Sequence, residues 1–315
     1  MPYRRTSDEI QAEIDRKPWL REVSGFAAQH TMISPYARTT VVKSPDVVVR
    51  GRWDRSVEGF VGEELLLNHR REPANLGTRL GVSRFFEPDA ALASCHLDLS
   101  EDLSGALELP KPKQLRAGLT STVASRRSHR RFSGQAVRLV DVATVLHHVQ
   151  GVSGEIANGQ HSEPDATVKL RMSPSGGGLY PVHVYLFAIN VAGLAPGAYR
   201  YLPSHHRLAP IGGAIPLDRL LPLLDFTDFP AGDGGFALTY VYDLYVNSRK
   251  YGDSGLVYAL IETGGMSLNA HLAATALGLR GCDQGGYDKP RLEQALGLDS
   301  VSQHVVHFTV IGDEG

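Results

Sequence analysis

Three stretches of this 315-residue chain predict an α+β fold in which one sheet packs against a large buried helix. VHVYLFAIN (Val182–Asn190) is a nearly continuous apolar run of strand length, so it belongs in the centre of a sheet. FALTYVYDLYVN (236–247) reads as a second apolar strand. SGLVYALIETGGMSLNAHLAATALGL (254–279) is a long, largely apolar segment that reads as a buried helix.

The remaining elements follow in chain order. TSDEIQAEI opens a first helix over 6–29, with a hydroxyl cap and early acids. TTVVKSPDVVVR (39–50) reads as two short strands around a Ser-Pro turn. Pro110-Lys111-Pro112 reads as a linker. The predicted organisation is an N-terminal accessory region, 1–112, followed by the main domain, 113–315. LTSTVASRRSHRRF starts a helix that breaks into a loop. LVDVATVLHHVQG is an amphipathic helix with Asp141 near its start and Gly151 closing it. GAYRYLPSHHRLAPI suggests a hairpin, and QHVVHFTVIG is a closing strand.

Composition narrows the function. Hydrophobic residues are 42% and charged residues 21%, ordinary for a globular protein. The formal net charge of −2 argues against nucleic acid or an anionic membrane as partner, because both select a basic face. No stretch is long and apolar enough to span a bilayer, and the N-terminus lacks the apolar core of a signal peptide. The two cysteines, Cys95 and Cys282, make no CxxC pair, which suits a reducing cytoplasm. The thirteen histidines are scattered without metal-ligand spacing, so no metal site is expected. Phosphate-loop, HExxH, GxSxG and GxGxxG motifs are all missing.

Three motifs carry chemistry. SRRSHRRFSG (125–134) packs Arg126, Arg127, Arg130 and Arg131 with three hydroxyls. On a helix, Arg126 and Arg130 would share a face and clamp a phosphate; an exposed basic turn is the alternative. SPSGGGLYPVHVYL (173–186) brings a glycine run to a buried strand. Its backbone can lie against a flat ligand, or it is a flexible loop. GCDQGGYD (281–288) is a second glycine turn after the long helix. Between them, NSRKYG (247–252) sets Lys250 and Tyr251 side by side just ahead of that helix.

With these motifs in this order, the chain from about Leu119 to Gly312 resembles the nitroreductase-like flavoproteins. Within them it is similar to the SagB-type dehydrogenases of thiazole/oxazole-modified peptide pathways. SRRSHRRFSG, SPSGGGLYPVHVYL, GAYRYLPSHHRL and the KYG before LAATALGL carry the resemblance. It implies a mostly antiparallel sheet flanked by helices, and FMN as cofactor. Arg126, Arg127, Ser128 and Arg130 match the signature that holds FMN. Pro174, Ser175, Gly176 and Gly178 match the loop against the flavin, supplied in this fold by the partner of a homodimer. Gly285 and Gly286 match the turn near flavin N5, where many relatives carry Glu-Gly. Lys250 and Tyr251 match a catalytic Lys-Tyr pair. Gly265 and Leu268 stand where relatives carry His and Gln.

The implied activity is oxidation of thiazoline or oxazoline rings on a precursor peptide to thiazole or oxazole. The Lys250/Tyr251 pair would take the Cα proton, hydride would pass to flavin N5, and dioxygen would reoxidise the flavin. A cyclodehydratase complex is the expected partner. Lysine, with an ordinary pKa of about 10.4, needs burial or neighbouring charge to act as a base. Alternatively it supports a tyrosine base, or it snorkels to solvent while Tyr251 packs. Two other functions stay open: an NAD(P)H-dependent nitro- or quinone reductase, and a non-catalytic FMN-carrying subunit.

Overall fold

The structure, a computed structural model, describes residues 101–314 except 158–166, 213–216 and 225–231, with a few isolated positions before 101. The chain divides into two compact units, Met1–Glu72 and Pro73–Gly315. The sequence-based boundary at 112/113 lies inside the second unit. Ala12, Asp15 and Arg16 are helical. The rest of the expected 6–29 helix, the 39–50 strands and nearly all of the accessory region lie outside the described residues.

Seven strands form one antiparallel sheet. They are β1 (Leu107–Glu108), β5 (Val182–Ala188), β7 (Gly197–Leu202), β8 (Arg207–Ile211), β9 (Phe236–Asp243), β10 (Leu279–Asp283) and β11 (Gln303–Asp313). Their order is β1-β8-β7-β5-β9-β11-β10. Strands β2 (Val137–Arg138) and β6 (Val191–Ala192) pair in parallel, and β3 (Val152–Ala157) with β4 (Thr167–Arg171) antiparallel. The helices are α1 (Leu119–Ser125), α2 (Leu139–Gln150), α3 (Leu217–Leu224), α4 (Leu244–Tyr251), α5 (Ser254–Ala276) and α6 (Lys289–Ala295).

Side-chain alternation explains the continuous apolar runs. Along β5, Val182, Val184 and Leu186 enter the core that also holds residues of α2 and α5. Tyr185 and Phe187 enter a second core with Leu292 and Leu296, at and just beyond α6. Strand β9 does the same, with Leu238 and Tyr240 on one face and Ala237 and Val241 on the other. A strand covered on both faces has no polar side to show, so its period-2 signal vanishes. Helix α5 approaches closely because its buried positions are small: Ala259, Ala270, Ala273 and Ala274 beside Met266.

The structure revises three readings. The 236–247 strand ends at Asp243, whose side chain accepts from Tyr245 N–H and starts α4. Asp243 is thus an N-cap, and a helix begins where apolar letters alone continued a strand. Pro110–Lys113 is held at both ends: Pro110 C=O accepts from His206 Nε2 at 3.1 Å, while Lys113 pairs with Asp141 of α2 and its N–H donates to Thr144 Oγ1 at 3.0 Å. The third revision concerns SRRSHRRFSG and belongs to the site.

Among the described residues, no helix is long and apolar enough to cross a membrane.

Candidate functional site

Helix α1 stops at Ser125, and Arg126 is its C-cap with an extended ψ of 126°. Arg126–Gly134 is therefore not helical, and Arg126 and Arg130 do not share a helical face. The segment runs beside β10: Ser128 bridges Gly281 in parallel, and His129 N–H donates to Gly281 C=O at 3.0 Å. Further on, Ser133 N–H donates to Asp313 C=O at 2.8 Å. An edge strand offering unpaired carbonyls outcompetes a short helix with no acid in its first turn.

That path carries Arg126 and Ser128 into a cleft of about 430 Å³. One wall is a helical stripe of α5, Gly264, Ser267, Leu268 and His271, spaced i, i+3, i+4, i+7. Asp283, the last residue of β10, and His307 on β11 complete it. Of the two departures within α5, Leu268 faces this cleft, whereas Gly265 is not among its lining residues. Gly281 permits the packing, since a Cβ there would stand 3.0 Å from the His271 ring.

Arg127 behaves differently. Its guanidinium folds back onto the carbonyls of Ala124 and Arg126 at 2.9 and 2.7 Å, satisfying the end of α1. Arg130 is exposed and near enough to Cys282 to act on it electrostatically, although burial dominates and raises the thiol's pKa. Gly285 and Gly286 follow Gln284, whose N–H donates to Phe308 C=O at 2.9 Å. Nothing lies within 4 Å of a Cβ built on Gly285, so this turn is open on its outer side.

A second cluster forms at the other end of α5. Lys250 and Tyr251 end α4, and Gly252 at φ +55° turns the chain into α5. Buried Asn247 fixes that turn: its Oδ1 accepts from Tyr242 O–H at 2.8 Å, and its Nδ2 donates to Gly255 C=O at 2.8 Å. The pair's polar ends meet the glycine loop. A Cβ built on Gly177 would overlap Tyr251 Oη and lie 2.7 Å from Lys250 Nζ. Lys250 Nζ sits 5.2 Å from the Tyr251 ring centroid, and Tyr258 meets Tyr251 edge-on at 5.0 Å. One on Gly176 would touch the Tyr258 ring at 3.4 Å.

The loop is held from below. Ser175 O–H donates to Glu262 of α5, and Tyr180 N–H donates to Ser175 Oγ at 2.9 Å. Tyr180 itself sits at φ +50°, a conformation unusual for a bulky residue. Its hydroxyl accepts Arg171 N–H at 3.0 Å. Glu262 is 4% exposed, and burial pushes its carboxyl up to about 7 despite hydrogen bonds from Ser175 and Val182 N–H and the nearby Arg171 charge.

These two clusters lie on opposite faces of α5. Tyr258 touches the glycine loop and Ser267 touches Asp283. Nine helical residues separate them, about 13 Å along the axis and half a turn around it. Lys250, Tyr251 and the 174–178 loop are not among the residues lining the Arg126 cleft. Sequence reasoning missed Asn247, Glu262, His271 and Asp283 as site-building residues. The legible signal was polarity inside apolar runs: Glu262 and His271 interrupt α5 with no polar face to join.

Residues 123–313 match the nitroreductase family. A protein of Methanocaldococcus jannaschii named for a nitroreductase is 24% identical over 190 residues, 60% of this chain and 88% of that one. The microcin B17-processing protein McbC of Escherichia coli is 32% identical over 153 residues. That match spans 47% of this chain and 56% of McbC, just over half its length. A Ralstonia eutropha structure described as a nitroreductase aligns with a TM-score of 0.54 and 23% identity, covering 67% of this chain and 90% of that one. A chain of the E. coli microcin synthetase McbBCD complex with truncated pro-MccB17 bound aligns at 0.50 and 20% identity, covering 78% and 99%. At these identities the two structures speak for the fold.

Proposed function

The chain belongs to the nitroreductase family, and from that premise we propose that it is an FMN-dependent azoline dehydrogenase acting on a ribosomally made precursor peptide. The observation that carries this reading is the convergence of Lys250 Nζ and Tyr251 Oη on the one point that Gly177 leaves empty. The similarity to McbC, named for processing microcin B17, favours a peptide substrate over a nitroaromatic.

The Arg126 cleft fits FMN in size and chemistry. Its volume is that of a small-molecule site. Arg126 supplies a guanidinium and Ser128 a hydroxyl, donors suited to a phosphate or ribityl chain. When bound, FMN supplies two-electron acceptance, with dioxygen as final oxidant.

The protein's own residues do the proton chemistry. An azoline Cα–H is acidified by the adjacent carbonyl and imine. The Lys250/Tyr251 pair removes that proton as the ring becomes aromatic. An ammonium beside the phenol stabilises a developing phenolate, and a neutral amine can take the proton itself. Gly177 leaves room for both ends, and Asn247 fixes the α4–α5 corner from which they project.

The opposite-face placement supports a homodimer in which one copy's Lys-Tyr cluster completes the other's cleft. Leu260, Ile261 and Leu268 on α5 are 46%, 68% and 51% exposed, apolar area that a second copy would cover. A cyclodehydratase complex and a cytoplasmic setting complete the reading.

Incubation with an azoline-bearing peptide tests it. The expected outcome is a mass loss of about two hydrogens per ring. Flavin bleaching by NAD(P)H with turnover of a nitroaromatic, and no change in the peptide, would replace this reading with a reductase.

A further inference from the structure

Asp283 is built as an acceptor with one oxygen committed to the protein and one left for a ligand. Its Oδ1 lies 2.6 Å from Thr309 Oγ1, 2.9 Å from Ser267 Oγ, 3.0 Å from His271 Nε2 and 3.1 Å from His307 Nε2. A carboxylate accepts only, so both imidazoles present Nε2–H to it. Four donors exceed the two lone pairs of one oxygen. Among the described residues, Oδ2 has one donor of this kind, the same Ser267 hydroxyl at 3.1 Å, which has one proton to share.

Exposure follows the same division. Ser267, His271 and Thr309 are buried, at 4%, 5% and 0%. The Asp283 side chain is nevertheless 43% exposed and lines the cleft with Arg126 and Ser128. Its open part is therefore the Oδ2 edge. Among the described residues no group of three or more His, Cys, Asp and Glu is arranged to hold a metal ion, so this is a hydrogen-bonded carboxylate. Burial would push its pKa up, but the hydrogen bonds from His271, His307 and Thr309 outweigh that and hold it far below the usual carboxylate range.

We propose that Asp283 is a ligand-binding residue whose Oδ2 accepts an N–H or O–H from the flavin in this cleft, opposite the Arg126 and Ser128 donors. The inference rests on the FMN reading above. It carries an electrostatic consequence, because a fixed anion beside the cofactor disfavours the charge that reduction adds. The cleft would then bind oxidised flavin more tightly than reduced flavin.

Purified full-length protein decides it through FMN affinity and flavin midpoint potential, for wild type, Asp283→Asn and Asp283→Glu. Asp283→Asn is expected to weaken FMN binding by about tenfold or more, the scale of a charge-assisted hydrogen bond. It should also raise the potential, with an about tenfold change in the oxidised-to-reduced affinity ratio corresponding to about 30 mV for a two-electron couple. Asp283→Glu keeps the charge and should recover most of the potential. If Asp283→Asn does not fold by circular dichroism, the same measurements on Asp283→Ser take its place. Folded, flavin-loaded variants with wild-type affinity and potential would make Asp283 purely structural and overturn the inference alone. A change confined to the peptide KM would overturn the flavin assignment. Wild-type protein that binds no FMN would overturn both this inference and the proposed function.

Discussion

The two ends of helix α5 solve opposite problems. At its N-terminal end, Lys250, Tyr251 and Tyr258 close over a loop whose glycines leave no side chain in the way. At its C-terminal half, Ser267 and His271 open toward Asp283, Arg126 and Ser128 across a cleft. The first cluster works through an omitted atom, and a single methyl group would occupy its key position. The second works through placed charge. A helix that serves both needs polar groups on two faces, which explains why α5 is neither a clean amphipath nor a plain core helix.

The largest expected effect tests the first cluster directly. Lys250→Ala and Tyr251→Phe should each lower azoline turnover by about 10²–10⁴-fold, the range of general acid–base catalysis. Both should retain bound flavin, read from the visible spectrum. Turnover that survives both changes removes the pair from the chemistry.

Next comes Gly177→Ala. Its methyl would collide with Tyr251 Oη and Lys250 Nζ, at a residue with φ +68°. Turnover should fall by about 10²-fold, since displacement of about 1 Å can cost that much. Flavin affinity should fall by less than turnover does, because the Arg126 and Ser128 donors lie on the far side of α5 and keep their places.

Glu262 links the loop to the helix through its hydrogen bond from Ser175, and its burial makes that link pH-dependent. Its folded pKa of about 7 stands above the ordinary 4.5. The stability it contributes is complete below about pH 4.5 and is lost as pH rises through about 7. Between pH 5 and 8 the wild-type melting temperature should therefore fall by about 5 °C more than that of Glu262→Gln. Parallel profiles for the two proteins would contradict the burial argument.

The smallest effect separates two neighbouring arginines. Arg126→Ala should weaken FMN binding by about 10–100-fold, whereas Arg127→Ala should change it less than threefold. Arg127 faces the carbonyls that end α1, and Arg126 faces the cleft. Equal losses would mean that the pair acts as an undivided basic patch.

Much of the fold was legible from residue patterns. The β7–β8 hairpin, strands β5 and β11, and helices α2 and α5 stand close to where periodicity and turn residues put them. Errors arose where apolar letters or basic runs have no period of their own. Leu244–Asn247 reads as strand until Asp243 is seen capping a helix. SRRSHRR admits a helical Arg126/Arg130 face or a basic turn until Gly281 offers it an edge to pair with. Short elements such as β10, β2 and α6 went unseen for the same reason. Their few residues carry little signal, and long-range pairing decides them.

The sequence by itself determined the layered α+β architecture, because strands buried on both faces and a 23-residue apolar helix admit few other arrangements. It also determined which residues have the chemistry: the Lys-Tyr pair, the glycine run and the arginines. Only the tertiary structure decided which of them meet. It set Lys250 and Tyr251 over Gly177, turned Arg127 away and brought Asp283 into one cleft with Arg126. Those are contacts between residues tens of positions apart, fixed by sheet register and helix rotation, and no local pattern encodes either.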